Sequence, residues 1–248
     1  MSNLILKTRN LSKNYYLGTY NHIKFLQILN QILFNKKNES DKIIALNNIN
    51  ISVEKGESIA VLGKNGFGKT TLCKLISEVT EPSSGLIELY GKVVPILALT
   101  FGVQLETTGS ENIKFLGSMF GVDKNYVEKN MKKIAEFANI SEFIETPLKK
   151  YSSGMITRLI FSTLINFPCD LFLLDEVLAV SDQSFKNRAI RELIKKNNDG
   201  TSIICISHEE NIIRSLCKYA YVFTEKGVLS EKLEINEAYE LYESTIKK

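Results

Sequence analysis

Several things that this 248-residue sequence has little of narrow its chemistry at once. Its four cysteines, Cys73, Cys169, Cys205 and Cys217, lie far apart, and no two have the close spacing of a zinc or redox site. They read as reduced thiols, mostly interior. There is little excess charge, because 31 lysines and arginines against 28 acids leave a net +3. The two signs are interspersed, which argues against a dedicated nucleic-acid binder, whose basic residues cluster on one face. No apolar run approaches the roughly 18 residues that a membrane-spanning helix needs. The first residues lack the charged start and long apolar core of a secretory signal. These absences predict a soluble chain with no membrane span of its own, reaching a membrane only through a partner.

What is present is an alternation of short apolar runs and helical stripes. Residues 59–62, 93–99, 171–174 and 203–206 are continuous apolar runs, which suit strands of a parallel sheet covered on both faces. Between them Leu72, Leu75, Ile76 and Val79 recur at helical spacing after Thr70. Val127, Met131, Ile134, Ala135 and Ala138 form a second stripe, and Ala189, Ile190, Leu193 and Ile194 a third. Strand and helix in alternation predict an α/β fold. The stretch from 101 to 167 reads as mostly helical and as a subdomain inserted in that core. The polar run at 35–42 reads as an exposed loop.

Three strand ends carry chemistry. The run Ile59-Ala60-Val61-Leu62 leads into Gly63-Lys64-Asn65-Gly66-Phe67-Gly68-Lys69-Thr70, which fits G-x-x-x-x-G-K-[ST] with a strand before it and an amphipathic helix after it. The glycines let the backbone curl so that successive N–H groups point inward at phosphate oxygens, and the helix adds its positive end. Lys69 supplies a charge for the β and γ phosphates, and the Thr70 hydroxyl a ligand for Mg²⁺. A second run ends in Asp175-Glu176. Ligands of open parallel sheets bind at the strands' carboxyl ends. Asp175 therefore suits the Mg²⁺ shell, and Glu176 a general base acting on the water that attacks the γ-phosphate. The third run ends in Ser207-His208, placing one of only two histidines where it can hold the γ-phosphate and the water.

Tyr151-Ser152-Ser153-Gly154-Met155, ahead of an apolar helix, narrows the family. With the phosphate loop, the acid pair and the downstream histidine in this order, it resembles the ABC ATPase family over essentially the whole chain. The resemblance implies one ABC ATPase domain over 1–248, a P-loop NTPase fold with a mainly parallel core sheet, an antiparallel β part and the inserted helical subdomain. It implies that ATP and Mg²⁺ are bound and that two copies pair around two nucleotides. Ser152 and Gly154 match the signature that binds the partner copy's γ-phosphate. Asp182, in Ala179-Val180-Ser181-Asp182, matches a loop acting across that dimer. Tyr15 matches the aromatic that stacks on adenine, with Tyr16 as its rival. Asn65 and Thr71 match further phosphate contacts. Gln104 matches the glutamine that contacts Mg²⁺ and senses the membrane partner, with Glu106 as the competing position.

The Tyr-Ser-Ser-Gly-Met variant departs from the general Leu-Ser-Gly-Gly-Gln and is similar to that of ATPases that export bacterial surface polysaccharides. Phe101 to Ile113 and Leu178 to Asp182 resemble the same branch. That resemblance implies export of a lipid-linked glycan such as O-antigen, capsule or teichoic acid, with membrane-spanning permease subunits on a separate chain and a place on the cytoplasmic face of the bacterial inner membrane. The alternative is an exporter of another cargo, a lipid or a drug. The chain resembles the members of this branch that lack a C-terminal sugar-binding domain, so none is expected. The segment 17–42 reads as an insertion, apolar through Ile23, Phe25, Leu26, Ile28, Leu29, Ile32, Leu33 and Phe34. Two readings stand for it: a contact with the membrane partner or bilayer surface, and a helix folded on its own domain.

Overall fold

The computed structural model describes residues 3–16, 42–97, 102–175, 182–207 and 209–246. The insertion at 17–42 lies outside them except for Lys42, which opens a strand. The strands are β1 (Leu4–Tyr16), β2 (Lys42–Ile49), β3 (Ser52–Glu54), β4 (Ser58–Leu62), β5 (Ser84–Leu89), β6 (Val93–Ile96), β7 (Leu171–Asp175), β8 (Ser202–Ile206), β9 (Tyr219–Glu225), β10 (Val228–Leu229) and β11 (Leu233–Glu234). The helices are α1 (Lys69–Ile76), α2 (Gly109–Met119), α3 (Lys124–Ala138), α4 (Ser153–Ile165), α5 (Gln183–Asn198), α6 (Glu210–Leu216) and α7 (Ile235–Ile246).

Five strands run parallel in the order β9-β4-β8-β7-β6, with β10 and β11 antiparallel on β9. Their runs are continuously apolar because alternate residues enter two different cores. Ile59 and Val61 of β4, Leu171 and Leu173 of β7, Ile204 and Ile206 of β8, and Tyr221 and Phe223 of β9 enter one core. Ala60 and Leu62, Phe172 and Leu174, Ile203 and Cys205, and Ala220 and Val222 enter the other. The first core is closed by α1 and by an antiparallel sheet in which β1 is flanked by β2, β3 and β5. The second is closed by α2 to α7. Burying a side chain such as Leu173 or Phe172 contributes roughly 1.5–3 kcal/mol, so a polar substitution in any of these runs opposes both layers.

The helices start where side chains satisfy their first N–H groups. Thr108 and Glu111 form a reciprocal capping box on α2. That pairing, from the Thr108 backbone first, holds the Glu111 carboxyl below the usual range. Asp123 caps α3 through Tyr126 N at 3.0 Å. The stretch predicted to be helical is filled by α2, α3, two 3₁₀ turns at Ser141–Phe143 and Leu148–Lys150, and α4. One predicted stripe is cut short. α1 ends at Ile76, Glu78 turns into the left-handed region at φ 58°, and Val79 stands 69% exposed. Of the run predicted as a strand over 93–99, Val93–Ile96 pairs with β7, Leu97 follows the strand, and 98–99 lie outside the described residues.

This topology positions the site. β8 lies between β4 and β7, with Ala60 opposite Cys205, and Leu174 and Asp175 opposite Cys205 and Ile206. The carboxyl ends of three neighbouring strands therefore lie side by side: one enters the phosphate loop, one carries Asp175, and one leads to Ser207.

Candidate functional site

The phosphate loop leaves β4 at Gly63 and joins α1 at Gly68, the helix N-cap. Gly68 has φ 119°, and a Cβ there would sit 2.6 Å from the Ala45 carbonyl oxygen and 2.7 Å from Leu46 Cδ2. Only glycine combines that conformation with such an approach to β2. Gly68→Ala is expected to destabilise the fold by about 1–3 kcal/mol through strain and overpacking. Urea unfolding measures it, and an unchanged midpoint would show that this approach is not required.

Lys69 is 8% exposed. A buried ammonium needs acceptors, and the loop supplies them: Lys69 Nζ donates to the Gly63 carbonyl at 2.6 Å, the Lys64 carbonyl at 3.2 Å and Asn65 Oδ1 at 3.5 Å. The positive charge is thus held inside the curl of the loop. A cavity of about 700 Å³ opens beside it. It is lined by Asn65, Gly66, Gly68, Lys69, Thr70 and Thr71 from the loop and the start of α1, by Tyr15, Ile43 and Ala45 from β1 and β2, and by Asp175 and Lys226.

The loop and strand residues differ in chemistry, and the sequence explains the difference. The loop offers a cation, two hydroxyls and the start of α1, a set that suits phosphate. The strand residues stand on the pairing of β1 with β2, where Tyr15 lies opposite Ile43. Tyr15 is 39% exposed, with Lys13 Nζ 5.2 Å from its ring centre. It offers a flat aromatic face between aliphatic neighbours. Between the two candidate tyrosines the structure places Tyr15 on the cavity; Tyr16, the next residue along the strand, faces the other way by alternation. Thr70 and Asp175 both line the cavity, bringing a hydroxyl and a carboxylate to it. Such hard oxygen donors fit Mg²⁺, which takes one or two carboxylates and completes its shell with phosphate oxygens and water. Beneath Asp175 the Cys73 thiol is pushed well up by burial, then by Asp175 and Cys205, so it stays protonated and adds no charge.

The other expected residues lie elsewhere. Gln104 is exposed, and its backbone is clamped by the buried Asn112, whose Oδ1 accepts from Gln104 N at 2.9 Å and whose Nδ2 donates to Gln104 O at 3.0 Å. Glu106, its rival, is paired with Lys149 at 2.6 Å. Ser152 is exposed and caps α4, accepting from Met155 N at 3.3 Å. Gly154 follows in the first turn. Tyr151, which departs from the general signature, is buried and donates its hydroxyl to Phe143 O at 2.6 Å, anchoring the start of α4. Asp182 caps α5 through Phe185 N at 2.9 Å and faces Arg158 of α4 at 3.4 Å. The backbone hydrogen bond and then Arg158 hold its carboxyl below the usual range. One turn on, Lys186 pairs with Glu209. Glu176 and His208 lie outside the described residues.

The family can be read from this geometry and from comparison together. Residues 46–179, from the middle of β2 through the phosphate loop and past the acid pair, match the family model described as ABC transporter. The chain belongs to the ABC transporter family. It is similar to the O-antigen export system ATP-binding protein RfbB of Klebsiella pneumoniae, with 32% identity over 98% of this chain and 98% of the relative. It is also similar to the teichoic acids export ATP-binding protein TagH of Bacillus cereus (strain ZK / E33L), with 34% identity over 99% of this chain. The chain spans 43% of the length of that second relative. Among solved structures, a dimeric ATP-binding cassette in a post-hydrolysis state with ADP and phosphate superposes with a TM-score of 0.73 at 18% identity, over 93% of this chain and 98% of that one. That likeness gives the ABC fold. Among the described residues, no helix is long and apolar enough to cross a membrane.

Three lining residues were not singled out by the sequence, Ile43, Ala45 and Lys226, and only Lys226 carries a charge. It stands at the tip of the β9–β10 hairpin, far along the chain from the loop it faces. The only local signal is Lys226-Gly227, a turn.

Proposed function

We propose that this chain binds Mg-ATP, closes as a dimer around two nucleotides, and hydrolyses them to drive export of a lipid-linked cell-surface polysaccharide through membrane-spanning subunits on another chain. The observation that carries the nucleotide half of this reading is the set of groups lining one cavity: an aromatic face at Tyr15, a buried ammonium at Lys69, and the hydroxyl of Thr70 with the carboxylate of Asp175. Support for the cargo comes from the O-antigen and teichoic acid relatives and from the Tyr-Ser-Ser-Gly-Met signature. On this reading the chain works on the cytoplasmic face of the bacterial inner membrane.

Each residue then has a role. Tyr15 stacks on the adenine. The N–H groups and side chains of Gly63 to Thr71 bind the phosphates, with Lys69 giving up its carbonyl partners for phosphate oxygens that carry full charge. Thr70 and Asp175 would hold Mg²⁺, which would offset charge on the phosphates, and Gln104 would be a further oxygen donor to it. Glu106 is engaged by Lys149, which favours Gln104 for that place. Glu176 takes the proton of the attacking water, and His208 holds the water and the γ-phosphate in line. Ser152, Gly154 and Asp182, away from the chain's own cavity, serve the nucleotide of the partner copy. Ser152 is suited to this because it caps α4 with a hydroxyl at an exposed helix start with no acid in the first turn, a place that favours an anion.

Ser152→Arg tests the shared site. The bulky cation should leave nucleotide binding by the single chain intact, prevent the ATP-driven dimer, and stop polysaccharide reaching the cell surface. A normal ATP-bound dimer on a sizing column, or a normal surface glycan, would contradict the arrangement.

A further inference from the structure

The β9–β10 hairpin is tied to the phosphate loop at one point. Gly227 N donates to the Phe67 carbonyl at 2.9 Å, and Asn47 N of β2 donates to the Gly227 carbonyl at 2.8 Å. Gly227 has φ 75°, and a Cβ there would meet the Ala45 carbonyl oxygen at 3.1 Å. A larger residue would push the hairpin off both neighbours. The tip is therefore held between the loop that receives phosphates and the strand that pairs with the one carrying Tyr15. Lys226, the residue before this glycine, stands on the cavity wall and is exposed to it. Among the described residues no carboxylate pairs with it.

Its place is set by what lies beside it. Phe67 and Gly68 precede Lys69 in the loop, and Ala45, two residues along β2 from Ile43, the partner of Tyr15, lies against Gly68. Where these meet, a nucleotide that stacks on Tyr15 and sends its terminal phosphates to Lys69 must pass its ribose and first phosphate. An ammonium on a long flexible stem suits that phosphate as a point charge. Resting on the nucleotide reading above, we propose that Lys226 is a binding residue for the α-phosphate, a second cation lining the same cavity as Lys69 that holds the part of the molecule common to ATP and ADP.

The test is equilibrium binding of ATP and ADP to the full chain by calorimetry. Lys226→Ala should weaken both nucleotides by the same factor, about 3- to 10-fold for one solvent-accessible charged contact. Lys226→Glu should weaken both further, and Lys226→Arg should retain most of the affinity. The loss should shrink at high salt, because an exposed pair is screened there. Thermal unfolding of each variant shows that the exposed tip has been changed without loss of the fold. Equal affinity of Lys226→Ala and the unaltered chain for both nucleotides would overturn the proposal, as would a loss confined to ATP, which would move the contact to the terminal phosphate. If the unaltered chain binds neither nucleotide, the nucleotide reading itself has failed, a different result from either of these.

Discussion

Glu176→Gln is expected to bind ATP as tightly as the unaltered chain and to turn it over about 10²- to 10⁴-fold more slowly, the usual worth of a positioned base. Glu176 follows directly on β7. The four apolar residues of this strand, Leu171 to Leu174, are buried against two layers, which fixes the strand and hence the point at which its carboxyl end leaves the sheet. Asp175 is delivered to the cavity wall by that register. The next residue is Glu176. The amide is nearly isosteric with the carboxylate but cannot take up the proton of the attacking water. Phosphate contacts come from the loop, so affinity should survive. Single-turnover measurement of phosphate release checks this, and turnover close to normal would remove Glu176 from the role of base.

Lys69→Ala should produce the largest effect on binding. Lys69 is buried among carbonyl and amide oxygens of its own loop. Its removal deletes the one cation inside the curl of the phosphate loop among the described residues and leaves those acceptors facing the phosphates. Hydrogen bonds to charged groups are worth roughly 1.5–3 kcal/mol, so ATP affinity should fall by about 10- to 100-fold. Turnover should be lost with it, and cells depending on this chain should keep their lipid-linked polysaccharide inside. A variant with unchanged affinity and rate would contradict the assignment of the phosphate loop as the nucleotide site.

What the sequence made readable follows from how local each signal is. The phosphate loop was legible because curl, cation and hydroxyl fall within eight consecutive residues after an apolar strand. β4, β7 and β8 were legible because burial on both faces makes them continuously apolar. β9 carries the same signal in Tyr219 to Phe223, a run that is not among the four predicted as strands. β1 was hidden for a physical reason. It mixes Lys7, Arg9, Lys13 and Asn14 with Leu6 and Leu11, because only part of it faces the core, and its register shifts against β2, β3 and β5. The choice between Tyr15 and Tyr16 could not be made from β1 alone. It depends on which of them faces the cavity beside Ile43, a residue on the far side of a long insertion. Val79 continued a helical stripe on paper, but the left-handed turn at Glu78 ends that helix first. Lys226 is the extreme case: two backbone hydrogen bonds to distant residues put it at the site, and a linear pattern carries no trace of them.

The central claim is that this chain completes its active site only with a second copy of itself. Light scattering of Glu176→Gln with and without Mg-ATP tests it most directly, because hydrolysis no longer reopens the closed form. The account predicts a monomer that becomes a dimer when Mg-ATP is added and returns to a monomer when ATP is removed. A variant that binds ATP at full occupancy and remains monomeric would contradict it.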